Sequence, residues 1–397
     1  LLEMDFQTSV PNPASAAPPD SPAASPTPAV ARAHKSLPGD SLPPAVVPGP
    51  GGKLQLKGLS LPELKELFRT WGEPEYRAVQ VMEWMYQRAA RSFGDMTNLP
   101  KGLRQRLEET CSIEAVSPET RQVASDGTTK YLFGLADGHA VETVLMPHDY
   151  GNSVCVTSQV GCRMGCVFCA STLGGVARNC SVGEMVDQVV FVQRELAAKG
   201  EHVSSVVLMG SGEPLENYEA VVAFIRLLGD PRGLGIGLRH ITLSTCGIVP
   251  GIRRLAAEDL PITLAVSLHA PTDELRSRMV PVNRRFALAE LLEAGRDYAS
   301  QTRRRLTFEY ILIKDLNDSL EDARTLAHLM KGQLAHVNLI PANPVPERGV
   351  ERTPQAQVEA FARILEERGV PVTVRREMGT DIDAACGQLR RRRGRDR

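Results

Sequence analysis

The chain has 397 residues, 42% hydrophobic and 23% charged, with a formal net charge of −1. That balance is ordinary for a soluble globular protein and ample for one large or two modest domains. Eight Cys are too few for a disulfide scaffold, no run of eighteen apolar residues predicts a membrane-spanning helix, and no basic-then-apolar start predicts a signal peptide.

Residues 1–52 hold 12 of the 28 Pro. Such a leader buries too little apolar surface to offset its ordering entropy and is predicted to be disordered. From 53 to 115, "LPELKELFRTWG", "RAVQVMEWMYQRAA" and "NLPKGLRQRLEE" space their apolar residues by three and four, which predicts a small helical domain. Residues 116–150 read as a linker, with a hairpin over 126–147 in "DGTTKYLFGLADGHAVETVLMP".

From 151 to 389, β-branched runs alternate with amphipathic helices. The predicted strands are "SVCVTSQV", "SSVVLMG", "HITLST", "ITLAVSLH", "LTFEYILI", "HVNLIP" and "VTVRRE". Ser181 and Glu184 form a capping box before one helix, and Pro354 is placed in the first turn of another. This α/β repetition predicts a parallel sheet or barrel with its active-site residues at the C-terminal strand ends. The tail 390–397 holds six Arg, either a phosphate-seeking arm or a solvated end.

"SQVGCRMGCVFCAST" places Cys162, Cys166 and Cys169 in a C-x₃-C-x₂-C spacing. Clustered thiols point to metal or redox chemistry in a reducing compartment, hence the cytoplasm. Structural zinc, the alternative, wants four protein ligands, and the next thiol after the cluster is Cys180, eleven residues on. A 4Fe–4S cluster held by three Cys leaves one iron open for a ligand. The spacing, with Phe168 before the last Cys, resembles the radical S-adenosylmethionine (SAM) signature.

Small and polar residues recur at successive strand ends: Gly210, Gly212, Glu213 and Pro214 in "MGSGEPL", Ser244 in "LSTCGIVP", Ser267, Leu268 and His269 in "SLHAP", and Asn343 in "NLIPANP". Each is open to a bland reading as a cap or a core histidine, but the repetition across strands favours a ligand site. Cys111, Cys180 and Cys246 read as small buried hydrophobes. Cys386, beside Gly387, is either an ordinary loop thiol or a nucleophile.

These motifs, with "VPVNRR" and "DIDAACGQL", stand in the order and spacing of the RlmN/Cfr family, which the chain resembles from about Lys53 to Leu389. The resemblance implies a partial (βα)6 radical SAM barrel and an enzyme that methylates adenine in RNA. It implies a 4Fe–4S cluster on Cys162, Cys166 and Cys169, and two SAM molecules per turnover. SAM would contact Gly212, Glu213, Ser244, Ser267, Leu268, His269 and Asn343. Cys386 would carry the methyl group as S-methylcysteine, Glu142 would accept a proton, and Cys155 would resolve a protein–RNA adduct through a transient disulfide with Cys386.

The expected reaction is methylation of carbon 2 of adenine in 23S rRNA, and in some tRNAs beside the anticodon. The alternative within the class is the carbon-8 activity associated with antibiotic resistance, and the remote one is a non-catalytic RNA- or zinc-binding protein. Expected partners are these RNAs and an electron donor such as flavodoxin or a reductase, with no membrane and a monomeric state. "RRF" (284–286), "TRRRL" (302–306) and the tail are the basic segments available to steer phosphates. Two departures from the family pattern stand out: Ser211, where the family often has Met, and "RREMGTDIDAAC".

Overall fold

A computed structural model describes residues 50–342, 349–379 and 381–382. Asn343, Cys386, the Arg-rich tail and most of the leader lie outside the described residues.

The helical spacing near the start builds α1 (Leu61–Thr70), α2 (Glu75–Tyr86) and α3 (Lys101–Thr110), bracketed by two short parallel strands, β1 (Leu54–Gln55) and β2 (Cys111–Ser112). Ser60 opens α1 with a capping box, its backbone N–H donating to Glu63 Oε2 at 2.7 Å. Leu61, Leu64, Leu67 and Phe68 form the buried face of that helix.

The module shares the main apolar core, and a buried polar anchor adds to that packing: Asp187 of α4 (Val182–Ala197). One carboxylate oxygen meets Lys57 Nζ, while the other accepts the backbone N–H groups of Ala115 at 2.6 Å and Val116 at 3.1 Å. Gly58 makes the approach possible. Its φ is +100°, and a Cβ there would stand 2.5 Å from the Gly183 nitrogen.

Among the described residues the main sheet has ten strands. β3 (Ser117–Val123), β4 (Thr129–Gly134), β5 (Ala140–His148) and β6 (Gly151–Cys155) form an antiparallel meander. A small ribbon follows, made by β7 (Gln159–Gly161) and β8 (Val176–Asn179). β9 (Val203–Leu208), β10 (Ile241–Thr245), β11 (Thr263–Ser267), β12 (Leu306–Leu312), β13 (Ala335–Pro341) and β14 (Val372–Val374) then add to β6, each parallel to its neighbour. Between them run α5 (Tyr218–Gly229), α6 (Val249–Ala256), α7 (Asp273–Met279), α8 (Leu288–Thr302), α9 (Leu320–Leu329) and α10 (Gln355–Glu367). Val206, Leu243, Leu264, Phe308 and Val337 are fully buried, as parallel strands covered by helices require.

Three local expectations change. "SVCVTSQV" is two strands, because the chain leaves the sheet after Cys155: Thr157 Oγ1 donates to Glu142 O at 2.6 Å, and the Ser158 and Gln159 N–H groups both donate to Ser211 O. Ahead of the hairpin lies β3, an edge strand whose residues are nearly all exposed and carry no alternating signal. Pro354 is the residue before α10 rather than within its first turn.

Candidate active site

The C-terminal ends of the parallel strands surround a cavity of about 360 Å³, where ligand crevices of such sheets lie. Cys155 enters from the end of β6, Gly212 and Glu213 from the turn after β9, Ser244 from β10, and Ser267 and His269 from the end of β11. Cys162, Cys166 and Cys169 line the same space. Leu268 is fully buried and does not line it.

The cysteine loop is held by its own backbone and by α7. Cys162 N–H donates to Gly175 O at 2.9 Å, and Thr172 Oγ1 donates to the carbonyls of Cys166 and Cys169. Val167 N–H donates to Met279 O at 3.0 Å. Burial pushes the Cys162 thiol up to about 12 and raises Cys166 as well, and the neighbouring cysteines add to both shifts. Unligated, these thiols therefore stay protonated, and a bound metal centre would have to displace the protons.

Three free thiols on one loop are a soft donor set that suits an iron–sulfur cluster. Among the described residues, no three His, Cys, Asp or Glu groups gather closely enough for one metal ion.

Glu213 is buried, and its two oxygens are used by the backbone: Oε2 accepts Cys246 N–H at 2.7 Å and Oε1 accepts Leu215 N–H at 2.9 Å. Burial raises its pKa against the pull of those hydrogen bonds. A carboxylate so fixed can receive the ammonium of an amino-acid ligand. Ser211, beside it, has a buried hydroxyl with no hydrogen-bond partner among the described residues.

His269 has a φ of +61°, rare for a residue with a Cβ. Its Nδ1 accepts Ile311 N–H at 3.1 Å, and its ring packs edge-on against Phe168 at 4.7 Å. Burial, with the nearby Arg276 charge, lowers its pKa to about 3. The ring is neutral, with its proton assigned to Nε2 by the hydrogen bond at Nδ1.

Glu142 does not line the cavity, but it shares a face of β5 with Val144 and Met146, which do. It forms a buried ion pair with Lys130 at 2.9 Å. Val144 pairs with Cys155, whose thiol burial pushes up to about 11.

Sequence reading missed several residues. Cys246 lines the cavity instead of serving only as core filler. Glu309, a lone carboxylate in the apolar run "LTFEYILI", also lines it and accepts Asn338 Nδ2 at 2.9 Å; its isolation among apolar neighbours was the available signal. Arg276 is fully buried among the strand ends. Arg375 and Arg376 line the cavity as well. By contrast, "TRRRL" immediately precedes β12, at the end of the sheet opposite the cavity, and Arg304 there donates to Ile262 O.

Comparison with known proteins agrees with this geometry. Residues 54–113 match the family model described as "Ribosomal RNA large subunit methyltransferase N-terminal domain", and residues 156–327 match the one described as "Radical SAM superfamily". A "Probable dual-specificity RNA methyltransferase RlmN" of Symbiobacterium thermophilum is 59% identical over 351 residues, covering 88% of this chain and 94% of the relative. One of the same name from Geobacillus kaustophilus is 55% identical, covering 84% and 91%. The crystal structure of a radical SAM methyltransferase from Sphaerobacter thermophilus superposes with a TM-score of 0.82 at 46% identity, over 84% of this chain and 98% of that one.

Proposed function

The chain belongs to the RlmN family of radical SAM RNA methyltransferases, and from that premise we propose that it methylates carbon 2 of adenine in 23S rRNA and in tRNA. The "dual-specificity" in the relatives' names supports two classes of RNA substrate. The observation that carries the reading is the single cavity onto which Cys155, the three-cysteine loop, Glu213 and the strand-end serines converge.

In this reading Cys162, Cys166 and Cys169 would hold a 4Fe–4S cluster, and Gly212, Glu213, Ser244, Ser267, His269 and Asn343 would contact SAM, with Leu268 supporting them from the core behind the cavity wall. Bound there, the cluster would supply the one-electron reduction on which radical SAM chemistry depends. Radical chemistry is needed because adenine carbon 2 is too poor a nucleophile for direct transfer from a sulfonium. Two SAM molecules serve each turnover, one of them as methyl donor to Cys386.

Glu142 accepts the proton that leaves the base, and Lys130 keeps its carboxylate paired until then. In the covalent adduct that joins Cys386 sulfur to the base through a methylene, Cys155 thiolate attacks that sulfur; the S–S bond forms as the sulfur–carbon bond breaks, and its electron pair stays with the base, where protonation completes the methyl group and frees the RNA. Because burial keeps the Cys155 thiol protonated, its attack has to be coupled to proton loss. The target base must leave its stack to reach the cavity, so unpaired RNA is the natural substrate. Among the described residues no helix is long and apolar enough to cross a membrane, and we place the enzyme in the cytoplasm, served by a flavodoxin- or reductase-type electron donor.

The test is mass mapping of nucleosides after incubating reconstituted enzyme with 23S rRNA and with tRNA. Expected is 2-methyladenosine from both; 8-methyladenosine, or no product, overturns the carbon-2 reading. Cys386→Ala is expected to abolish product while SAM cleavage persists, and methylated RNA from that variant would remove Cys386 from the pathway.

A further inference from the structure

Among the described residues, Arg276, on α7, is one of the largest fully buried side chains. Its guanidinium donates from Nε to Leu268 O at 3.1 Å, from Nη2 to Ser267 O at 3.1 Å and to Cys246 O at 2.6 Å, and from Nη1 to Asn283 Oδ1 at 2.9 Å. All four acceptors are neutral oxygens. The nearest acidic group in the network, Asp273, is reached only through Asn283, whose Nδ2 donates to Asp273 Oδ1 at 2.8 Å. A buried cation solvated by carbonyls is expensive unless every donor is satisfied.

Those carbonyls are not arbitrary. Ser267 ends β11 and Leu268 follows it, and Cys246 follows β10 and gives its N–H to Glu213. Three residues on, along the same side of α7, Met279 O receives Val167 N–H from the cysteine loop. Cys166, Cys246, Ala270 and Met279 also share one packed cluster. One short helix thus braces the cysteine loop against two strand ends, and its cation sits where its field reaches Cys166 and Cys246.

We infer that Arg276 is a positioning residue for the radical chemistry. Its forked donors set the strand ends that hold SAM in register with the cysteine loop, and its charge favours the reduced, more negative state of the cluster. The inference rests on the proposed cluster and SAM sites. Lys keeps the charge but cannot reproduce the fork, and Gln loses the charge, so the two substitutions separate the two roles.

The experiment uses reconstituted full-length protein, with SAM affinity from equilibrium binding and the cluster midpoint potential from a reductive titration followed by electron paramagnetic resonance. Arg276→Lys is expected to weaken SAM binding tenfold or more at normal iron content, with the potential held. Arg276→Gln is expected to weaken SAM binding similarly and to lower the potential by about 59 mV, a tenfold change for one electron.

SAM affinity within twofold of wild type in Arg276→Lys overturns the positioning role, and an unmoved potential in Arg276→Gln overturns the electrostatic one. Should Arg276→Gln hold no iron, Arg276→Met with Asn283→Leu, which removes the cation together with its side-chain acceptor, takes its place. Failure of all of these to assemble a cluster, with Arg276→Lys also iron-free, would make Arg276 a folding residue and overturn the inference. A wild-type protein that takes up neither iron nor SAM would instead sink the parent reading.

Discussion

Lys130 Nζ lies 2.9 Å from Glu142 Oε2, with both side chains buried on the cavity side of the β4–β5 pair. An ion pair shut away from water contributes modestly as a pair, but removing one member takes a buried, charge-assisted hydrogen bond from the other. Lys130→Met is therefore expected to destabilise the protein by about 3–5 kcal/mol. The double variant Lys130→Met with Glu142→Leu should recover most of that loss. Urea denaturation of the two variants checks this, and equal destabilisation in both would show that the pair is not the source.

His269 gives a pH signature. Its pKa falls from an unfolded value of about 6.5 to about 3 in the folded chain, chiefly through burial. Between those values the unfolded state binds more protons, so stability rises with pH across the window. The contribution is complete above pH 6.5 and is lost progressively as pH falls toward 3. Unfolding free energies compared at pH 7.5 and 5.5 should drop more in wild type than in His269→Gln. Parallel losses would mean that the ring already titrates normally.

Gly212 has a φ of +112°, and a Cβ there would stand 2.6 Å from Gln159 Cβ and 2.7 Å from Gln159 N. Gly212→Ala must both strain its backbone and push Gln159, whose Oε1 accepts Glu213 N–H at 2.8 Å. The expected cost is about 2 kcal/mol or more, with weaker SAM binding because Glu213 moves. Thermal unfolding with calorimetric titration of SAM checks both, and an unchanged melting temperature would contradict the close approach.

How much of this was legible in the chain itself can be argued residue by residue. The three-cysteine spacing, the small residues at strand ends and the Ser181–Glu184 capping box are local features, written within a few positions, and the Ser181 box is present as expected. Seven strands of the parallel array announced themselves because apolar β-branched runs are what a doubly covered sheet demands. β3 did not, since an exposed edge strand is under no such demand.

By itself, then, the sequence determined the repeating α/β plan and the inventory of thiols, glycines and carboxylates that chemistry needs. Only the tertiary structure decided that Glu142 meets Lys130, that Asp187 anchors Lys57 across 130 residues, and that Arg276 finds the carbonyls of Cys246 and Ser267. Local spacing is a property of adjacent residues and survives reading in one dimension. Which buried charge meets which oxygen depends on strand register and helix docking, and these are set by the packing of the whole core.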